Sequence, residues 1–138
     1  MSMKLIPLAT AVLTVDTPLI IKGGPRGTRF IAAIAAAEWT GRINAKQIGS
    51  ASADWAMLGQ DGNAAIDVRT TLKTEDDALI YVSYTGRSKK LSDGSTVLFI
   101  TPVFETGDSR YGWLNTLQAV GRGTMKNGQL VYEICELE

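Results

Sequence analysis

Residues Ala64–Thr74 (AAIDVRTTLKT) alternate between apolar and polar side chains, and this alternation predicts a β-strand. Successive side chains of a strand point to opposite faces. One face then carries aliphatic and threonine side chains, namely Ile66, Val68, Thr70 and Leu72. The other face carries the charged pair Asp67 and Arg69. The segment is therefore expected to have one face in a core and the other face polar.

Strand and turn patterns continue on both sides of this segment. Asp61-Gly62 is a strong hairpin-turn signal that separates it from the short apolar run Trp55–Leu58. The acidic turn Glu75–Asp77 follows, and then Ala78–Thr85 (ALIYVSYT), which is rich in aromatic and β-branched residues. Hairpin succession of this kind is typical of an antiparallel meander.

Similar runs cover most of the remaining chain. Strands are predicted over Leu5–Val15, Arg42–Gln47, Thr96–Glu105, Leu114–Arg122 and Gln129–Leu137, with Asn127-Gly128 as the last turn. The short apolar run Leu19–Ile21 ends at a turn predicted over Gly23–Gly27. A polar loop is predicted over Gly86–Ser95. About eight strands predict an all-β, single antiparallel up-and-down β-barrel over residues 1–138, or failing that a sandwich.

Phe30–Trp39 (FIAAIAAAEW) is the segment whose local signals are ambiguous. Alanine is the best helix former, so composition alone predicts a helix here. Thr28 is a weak cap, however, and Gly41 ends the segment early. A strand whose alanines pack closely is the alternative.

Composition excludes several classes of protein. The 138 residues contain 14 Lys+Arg and 14 Asp+Glu, a balance that argues against a nucleic-acid partner. Histidine is absent, which removes Ser-His-Asp and Cys-His catalysis and the commonest zinc ligand. Cys135, the single cysteine, is interpreted as a packed thiol. We expect no metal, no cofactor, no membrane span and a cytoplasmic location.

A second informative stretch is Thr101–Asn115, in which a carboxylate ends an apolar run and a Tyr-x-Trp-x-Asn alternation follows. If this alternation is a strand, Tyr111, Trp113 and Asn115 share one face and form a ligand wall with polar groups. The alternative is a core pair of aromatics with an asparagine at a strand edge.

Several ionisable side chains are candidates for chemistry. Glu105 ends a strand and Asp54 precedes Trp55, so partial burial of either carboxyl would raise its pKa towards a range useful for proton transfer. Tyr81 could donate to a developing oxyanion. Arg69 either shares an inward face with Asp67 or forms an ordinary outer-surface pair, and periodicity does not decide between them.

Six motifs in one order resemble a bacterial family known as domain of unknown function DUF3237. The motifs are Gly24-Pro25-Arg26-Gly27-x-Arg29, Ala53-Asp54-Trp55, Asp67-Val68-Arg69-x-x-Leu72-x-Thr74, Ala78–Val82, Thr101-Pro102-x-Phe104-Glu105-Thr106 and Tyr111-x-Trp113-Leu114-Asn115. The resemblance implies a calycin-like or allene-oxide-cyclase-like barrel, in which Phe30–Trp39 is a strand. It also implies that the following residues line one pocket: Arg26, Asp54, Trp55, Arg69, Tyr81, Glu105, Tyr111, Trp113 and Asn115.

Three hypotheses for function follow. The first is a cofactor-free lyase, isomerase or cyclase acting on a small apolar or aromatic oxygenated molecule. In it Glu105 or Asp54 moves a proton, Arg26 or Arg69 holds a carboxylate or enolate, and Tyr81 or Tyr111 stabilises charge. The second is a lipocalin-type carrier that uses the same pocket without turnover. The third is a structural or assembly domain, for which a homo-oligomer is one form.

Overall fold

A computed structural model describes all 138 residues, and nearly the whole chain is β-structure. The ten strands are β1 Leu5–Val15, β2 Leu19–Gly24, β3 Gly27–Gly41, β4 Ala45–Gln47, β5 Ala53–Leu58, β6 Ala64–Thr74, β7 Leu79–Lys90, β8 Thr96–Glu105, β9 Ala119–Lys126 and β10 Gln129–Leu137. A single 3-10 helix, Ser109–Thr116, joins β8 to β9. No helix has the length and apolar character that crossing a bilayer requires.

The sheet closes into an antiparallel barrel, as the sequence predicts. Its hydrogen-bonded order is β1-β10-β9-β8-β7-β6, and β3 then pairs with β1 to complete the ring. Between β3 and β6, one half of the barrel contains β4 and the other half contains β5. β2 pairs with β3 alone and extends past the ring, so its outer edge has no partner.

The two ends of the barrel differ. One end is closed by the 3-10 helix, whose Leu114 is fully buried beside Phe104 and Trp39 in a continuous apolar core. The other end carries the four hairpin turns at Pro25-Arg26, Gln60–Asn63, Leu91–Gly94 and Asn127-Gly128. At this open end the inward-facing side chains Phe30, Leu98 and Leu130 are only half-buried.

Phe30–Trp39 is a strand, so the helix that composition predicts there is wrong and the implication of the family resemblance is confirmed. Ala32, Ile34, Ala37 and Trp39 are buried, with a register shift near Ile34 that preserves the inward face. Pairing on both edges and burial of this face outweigh the helix propensity of alanine, which is worth less than about 1 kcal/mol per residue.

Three further local predictions are wrong. Arg42–Gln47 is a strand only over Ala45–Gln47, because a bend at Arg42 and Ile43 precedes it. Leu114–Arg122 is not one strand, because the 3-10 helix continues to Thr116 and β9 begins only at Ala119. Gly86–Ser95 is not one loop, because β7 continues to Lys90 and pairs with β8 down to a tight turn at Leu91–Gly94. Polar residues there face solvent on both sides of a paired hairpin, so their polarity reflects exposure and not irregular backbone. The bounds predicted for β1, β6, β8 and β10 are confirmed.

Candidate functional site

Asp54 is an acidic side chain that the barrel directs inward. It lies on β5 opposite Ala32 of β3 and Val68 of β6, and both of these partners are buried. Directly opposed residues of neighbouring strands point to the same face of a sheet, so the Asp54 carboxyl faces the interior with them. It is half-buried near the start of β5, and the inward positions of Ala56 and Leu58 separate it from the turn at the open end.

Two tyrosines approach Asp54 inside the barrel. Tyr84 of β7 is opposite Val68, one strand further from Asp54, and Tyr132 of β10 is opposite Ala11 and Gly123. Their rings meet edge to face, with centroids 5.9 Å apart and planes inclined at 69°. This arrangement is the favourable one for aromatic pairs, so the two rings hold each other in place.

A glycine makes room for Tyr132. A Cβ atom on Gly123 would lie 2.5 Å from Cε1 of the Tyr132 ring, closer than any side chain tolerates. The ring therefore packs flat on the β9 backbone. Gly123 positions the Tyr132 hydroxyl, because a larger residue would push the ring into the interior.

Neither tyrosine hydroxyl has a hydrogen-bond partner in the protein. Every buried side-chain nitrogen or oxygen of the protein has a partner, and the side-chain hydrogen bonds do not include Tyr84 or Tyr132. The two hydroxyls therefore reach solvent, although the rings themselves are 5% and 2% exposed. Two phenolic O–H groups without a protein partner thus lie on the inner wall of the barrel.

The pKa values reflect this enclosure. Burial raises the pKa of Asp54, the hydrogen bond from the Asp67 backbone N–H opposes the rise, and the Asp67 charge adds to it. Burial also raises the pKa of Tyr84, as do the charges of Tyr132 and Asp54. The pKa of Tyr132 is raised by burial and by the Asp54 charge. Both tyrosines are therefore neutral hydrogen-bond donors at physiological pH, and the Asp54 carboxyl is easier to protonate than that of an exposed aspartate.

The backbone around Asp54 is adapted to hold it. Asp54 Oδ1 accepts a 3.0 Å hydrogen bond from the Asp67 N–H, and the Arg29 guanidinium donates to the Trp55 carbonyl at 3.0 Å. The two side chains form hydrogen bonds with the backbone where the β5–β6 ladder is interrupted. The interruption lies between the pairs Asp54/Val68 and Met57/Ala65. The carboxylate therefore has a fixed position that does not depend on a bound ligand.

Three other predicted site residues lie on the outer wall, which corrects the expectation of a shared interior pocket. Arg69 and Glu105 are exposed, and Tyr81 is half-buried on the same outer face, opposite Glu105. Each follows the alternation of its strand, since the inward positions belong to neighbours such as Val68, Val82 and Phe104. Tyr81, Glu105 and Asn115 border a shallow outer groove of about 520 Å³.

Trp55 and Arg26 are also outside the interior. Trp55 is on the outer face of β5, where the Arg69 guanidinium stacks 4.9 Å from its ring centroid. Arg26 is exposed in the turn between β2 and β3, at the open end of the barrel. The outer position of Arg69 resolves the alternative left open by periodicity.

Tyr111, Trp113 and Asn115 lie on the 3-10 helix, so the prediction that they share one strand face is wrong. The Tyr111 hydroxyl donates to Asp76 at 2.8 Å, and Trp113 stacks under Arg42 at 4.9 Å. The Asn115 amide is used by the backbone of Thr106, accepting at 2.8 Å and donating at 3.0 Å. These residues fasten the closed end, at the opposite end of the barrel from the four hairpin turns.

Sequence reasoning identified Asp54 but missed Tyr84 and Tyr132. The signal was present in their strands. Tyr84 continues the inward alternation of Ile80 and Val82, and Tyr132 precedes inward Ile134 by two residues. No three His, Cys, Asp or Glu side chains are grouped so that they could hold a metal ion.

The family model described as "Protein of unknown function (DUF3237)" matches residues 3–137. The chain belongs to the DUF3237 family. No curated protein matches it. Among solved structures this DUF3237 member is similar to a beta-barrel-like protein from Acinetobacter baumannii, with 26% identity and a TM-score of 0.88 over 99% of this chain and 97% of that one.

Two other solved structures share the barrel with this DUF3237 member. One is a protein of unknown function from Clostridium acetobutylicum, with 19% identity, a TM-score of 0.88, and coverage of 99% of this chain and 100% of that one. The other is described as an enzyme from Penicillium herquei, with 21% identity, a TM-score of 0.72, and coverage of 99% and 94%. At these identities the likeness shows the fold alone.

Proposed function

We propose that this DUF3237 member is a cofactor-free enzyme of lyase, isomerase or cyclase type, acting on a small apolar or aromatic oxygenated molecule at the open end of the barrel. The observation that carries the proposal is the inward Asp54 carboxyl with a raised pKa, which shares the barrel interior with two tyrosine hydroxyls that have no protein partner. A ligand, or the charge that develops on it, would supply the hydrogen-bond partner that these hydroxyl groups lack in the protein.

The chemistry uses one proton and two donors. Asp54 as carboxylate takes a proton from an acidic C–H or O–H of the substrate, and the electron pair of that bond moves onto a substrate oxygen. Tyr84 and Tyr132 donate hydrogen bonds to this oxygen as its charge develops. Protonated Asp54 then returns the proton to a different atom, which completes an isomerisation or a ring closure without net loss of atoms.

The apolar surroundings favour this use of Asp54. Phe30, Leu98 and Leu130 are half-buried apolar side chains that face inward at the open end, so they would contact the body of a substrate. Water exclusion by such a body strengthens the interaction of the oxygen with both phenols, because electrostatic interactions grow as the local dielectric falls. Glu105, Arg69 and Tyr81 have no part in this chemistry.

An assembly domain is the second candidate, and the outer positions of Arg69 and Glu105 favour it. Charged groups there are free to contact another subunit. This role and the proposed chemistry occupy different surfaces of the barrel, so variants on each surface separate them.

Deuterium exchange tests the enzyme proposal. Small aromatic ketones, enones and phenols are incubated with the protein in D2O, and incorporation at carbon is followed by mass spectrometry. We expect exchange above background that rises with pH through the Asp54 titration. Asp54→Asn should reduce the rate by at least about 100-fold, while matched Glu105→Gln should retain it within about twofold.

The other outcomes separate the alternatives. Ligand binding without deuterium exchange above background, in the wild type and in Asp54→Asn alike, would identify a carrier. Loss of exchange in Glu105→Gln with retention in Asp54→Asn would overturn the assignment of the site to the interior. Circular dichroism of each variant verifies that the barrel is folded.

A further inference from the structure

The open and closed ends of the barrel differ in charge. The hairpin turns and adjoining strand ends at the open end carry five cationic side chains: Lys22, Arg26, Lys89, Lys90 and Lys126. They carry three anionic ones, Asp16, Asp61 and Asp93. Further down the strands lie the cations Arg29 and Arg87 and the anion Asp67. The rim of the open end is therefore basic in a protein whose net charge is zero.

The rim cations are not engaged by the protein. The salt bridges of the barrel involve Arg42, Lys73, Arg110 and Arg122, and none of the rim cations. None of them donates a side-chain hydrogen bond either. The rim carboxylates Asp61 and Asp93, by contrast, accept hydrogen bonds from the backbone N–H groups of Asn63 and Ser95 in their own turns. The positive charge of the rim is thus available to something that arrives from solution.

The closed end has the opposite balance. Its anions are Glu75, Asp76, Asp77, Glu105, Asp108, Glu136 and Glu138, and its cations are Lys4, Arg42, Lys73 and Arg110. A neutral barrel with one basic and one acidic end has a field that draws anions towards the basic end. Such a field raises the encounter rate of a charged ligand with the open end, and the rate falls as salt is added.

We infer that the ligand is an amphipathic anion. Its apolar or aromatic body enters beside Tyr84 and Tyr132, and its anionic group stays at the rim among Arg26, Lys89 and Lys126. This inference rests on the proposed function and names the substrate class of that site. The anionic group remains outside because an anion beside Asp54 would repel its carboxylate, whereas the rim offers cations without partners.

Two fluorescent probes that differ in charge test this inference. 8-Anilinonaphthalene-1-sulfonate carries a sulfonate, and N-phenyl-1-naphthylamine has the same aromatic system without it. We expect the anionic probe to bind more tightly than the neutral probe. Raising the salt concentration from about 20 mM to about 500 mM should weaken the binding of the anionic probe several-fold and leave the affinity of the neutral probe unchanged.

Paired charge reversals supply the control. The double variant Lys89→Glu/Lys90→Glu alters the rim, and Lys46→Glu/Lys73→Glu alters two exposed lysines opposite each other on β4 and β6, away from the rim. Both change the net charge equally. We expect the rim variant to raise the Kd of the anionic probe at least about fivefold and the control to change it less than about twofold.

Leu98→Trp, which narrows the open end, should weaken both probes. If it weakens neither, the open end takes no such ligand, and the proposed function and the anion inference both fail. If both probes bind there with equal affinity at every salt concentration, or if the two double variants behave alike, only the anion inference is overturned.

Discussion

Asp54 is subject to opposing influences at the scale of a single residue. Burial favours the neutral acid, while the hydrogen bond from the Asp67 N–H favours the carboxylate. The same N–H also fixes the direction of the carboxyl, so its position survives a change of protonation. A group with a fixed position and a pKa shifted towards neutrality is suited to moving a proton in both directions.

The raised pKa predicts how Asp54→Asn changes stability with pH. The folded protein holds the Asp54 proton more tightly than the unfolded chain, whose value is near 3.8. Stability is therefore lost as pH rises from that value through the folded pKa, and the loss persists above it. Asparagine keeps an acceptor for the Asp67 N–H without the charge. We expect a higher Tm than wild type at pH 7 and no difference below about pH 3.

Thermal unfolding followed by circular dichroism at pH 3, 5 and 7 measures this effect. A lower Tm for Asp54→Asn at pH 7 would contradict a cost of burying the charge. In that case the hydrogen bond to the ionised form would outweigh desolvation.

At the scale of elements, the 3-10 helix closes one end of the barrel and is held by polar contacts on its outer side. Asp108 caps its first turn by accepting from the Arg110 N–H at 2.9 Å. The Arg110 guanidinium pairs with the same carboxylate and lowers the pKa of Asp108 to about 2. Leu114 is the one buried side chain of this helix, so it supplies the apolar contact with the core.

Leu114→Ala should therefore be strongly destabilising. Removing a fully buried leucine costs about 2–5 kcal/mol, from lost burial and the cavity left behind. Leu79→Ala is the matched control, because Leu79 is 56% exposed at the start of β7 at the same end. Its expected change is within about 0.5 kcal/mol. Chemical denaturation measures both, and equal effects would show that the helix does not seal the core.

At the scale of the whole molecule, closure joins distant parts of the chain. β1 pairs along its length with β10 on one side and with β3 on the other. β2 has one partner, and its Leu19, Ile20 and Ile21 are at least half exposed. Pairing on both edges makes the ring cooperative, because no ring strand can open without breaking two ladders.

Native-state hydrogen exchange should show this difference. We expect the slowest amides of β1 and β10 to exchange only by global unfolding, with protection that falls in parallel as denaturant is added. The amides of β2 should exchange through local opening, with little dependence on denaturant. Equal protection of β2 and β1 would mean that the free edge is covered in solution.

The sequence by itself determined the barrel and the bounds of β1, β6, β8 and β10, and it named Asp54 as a candidate. Alternation along Ala64–Thr74 and the turn at Asp61-Gly62 act locally, so they can be read without knowing the partners of a strand. Only the tertiary structure decided that Phe30–Trp39 is a strand, that Arg69 and Glu105 face outward, and that Tyr84 and Tyr132 face the same interior as Asp54. The physical reason is that a strand has two faces, and only closure of the sheet makes one of them the inside.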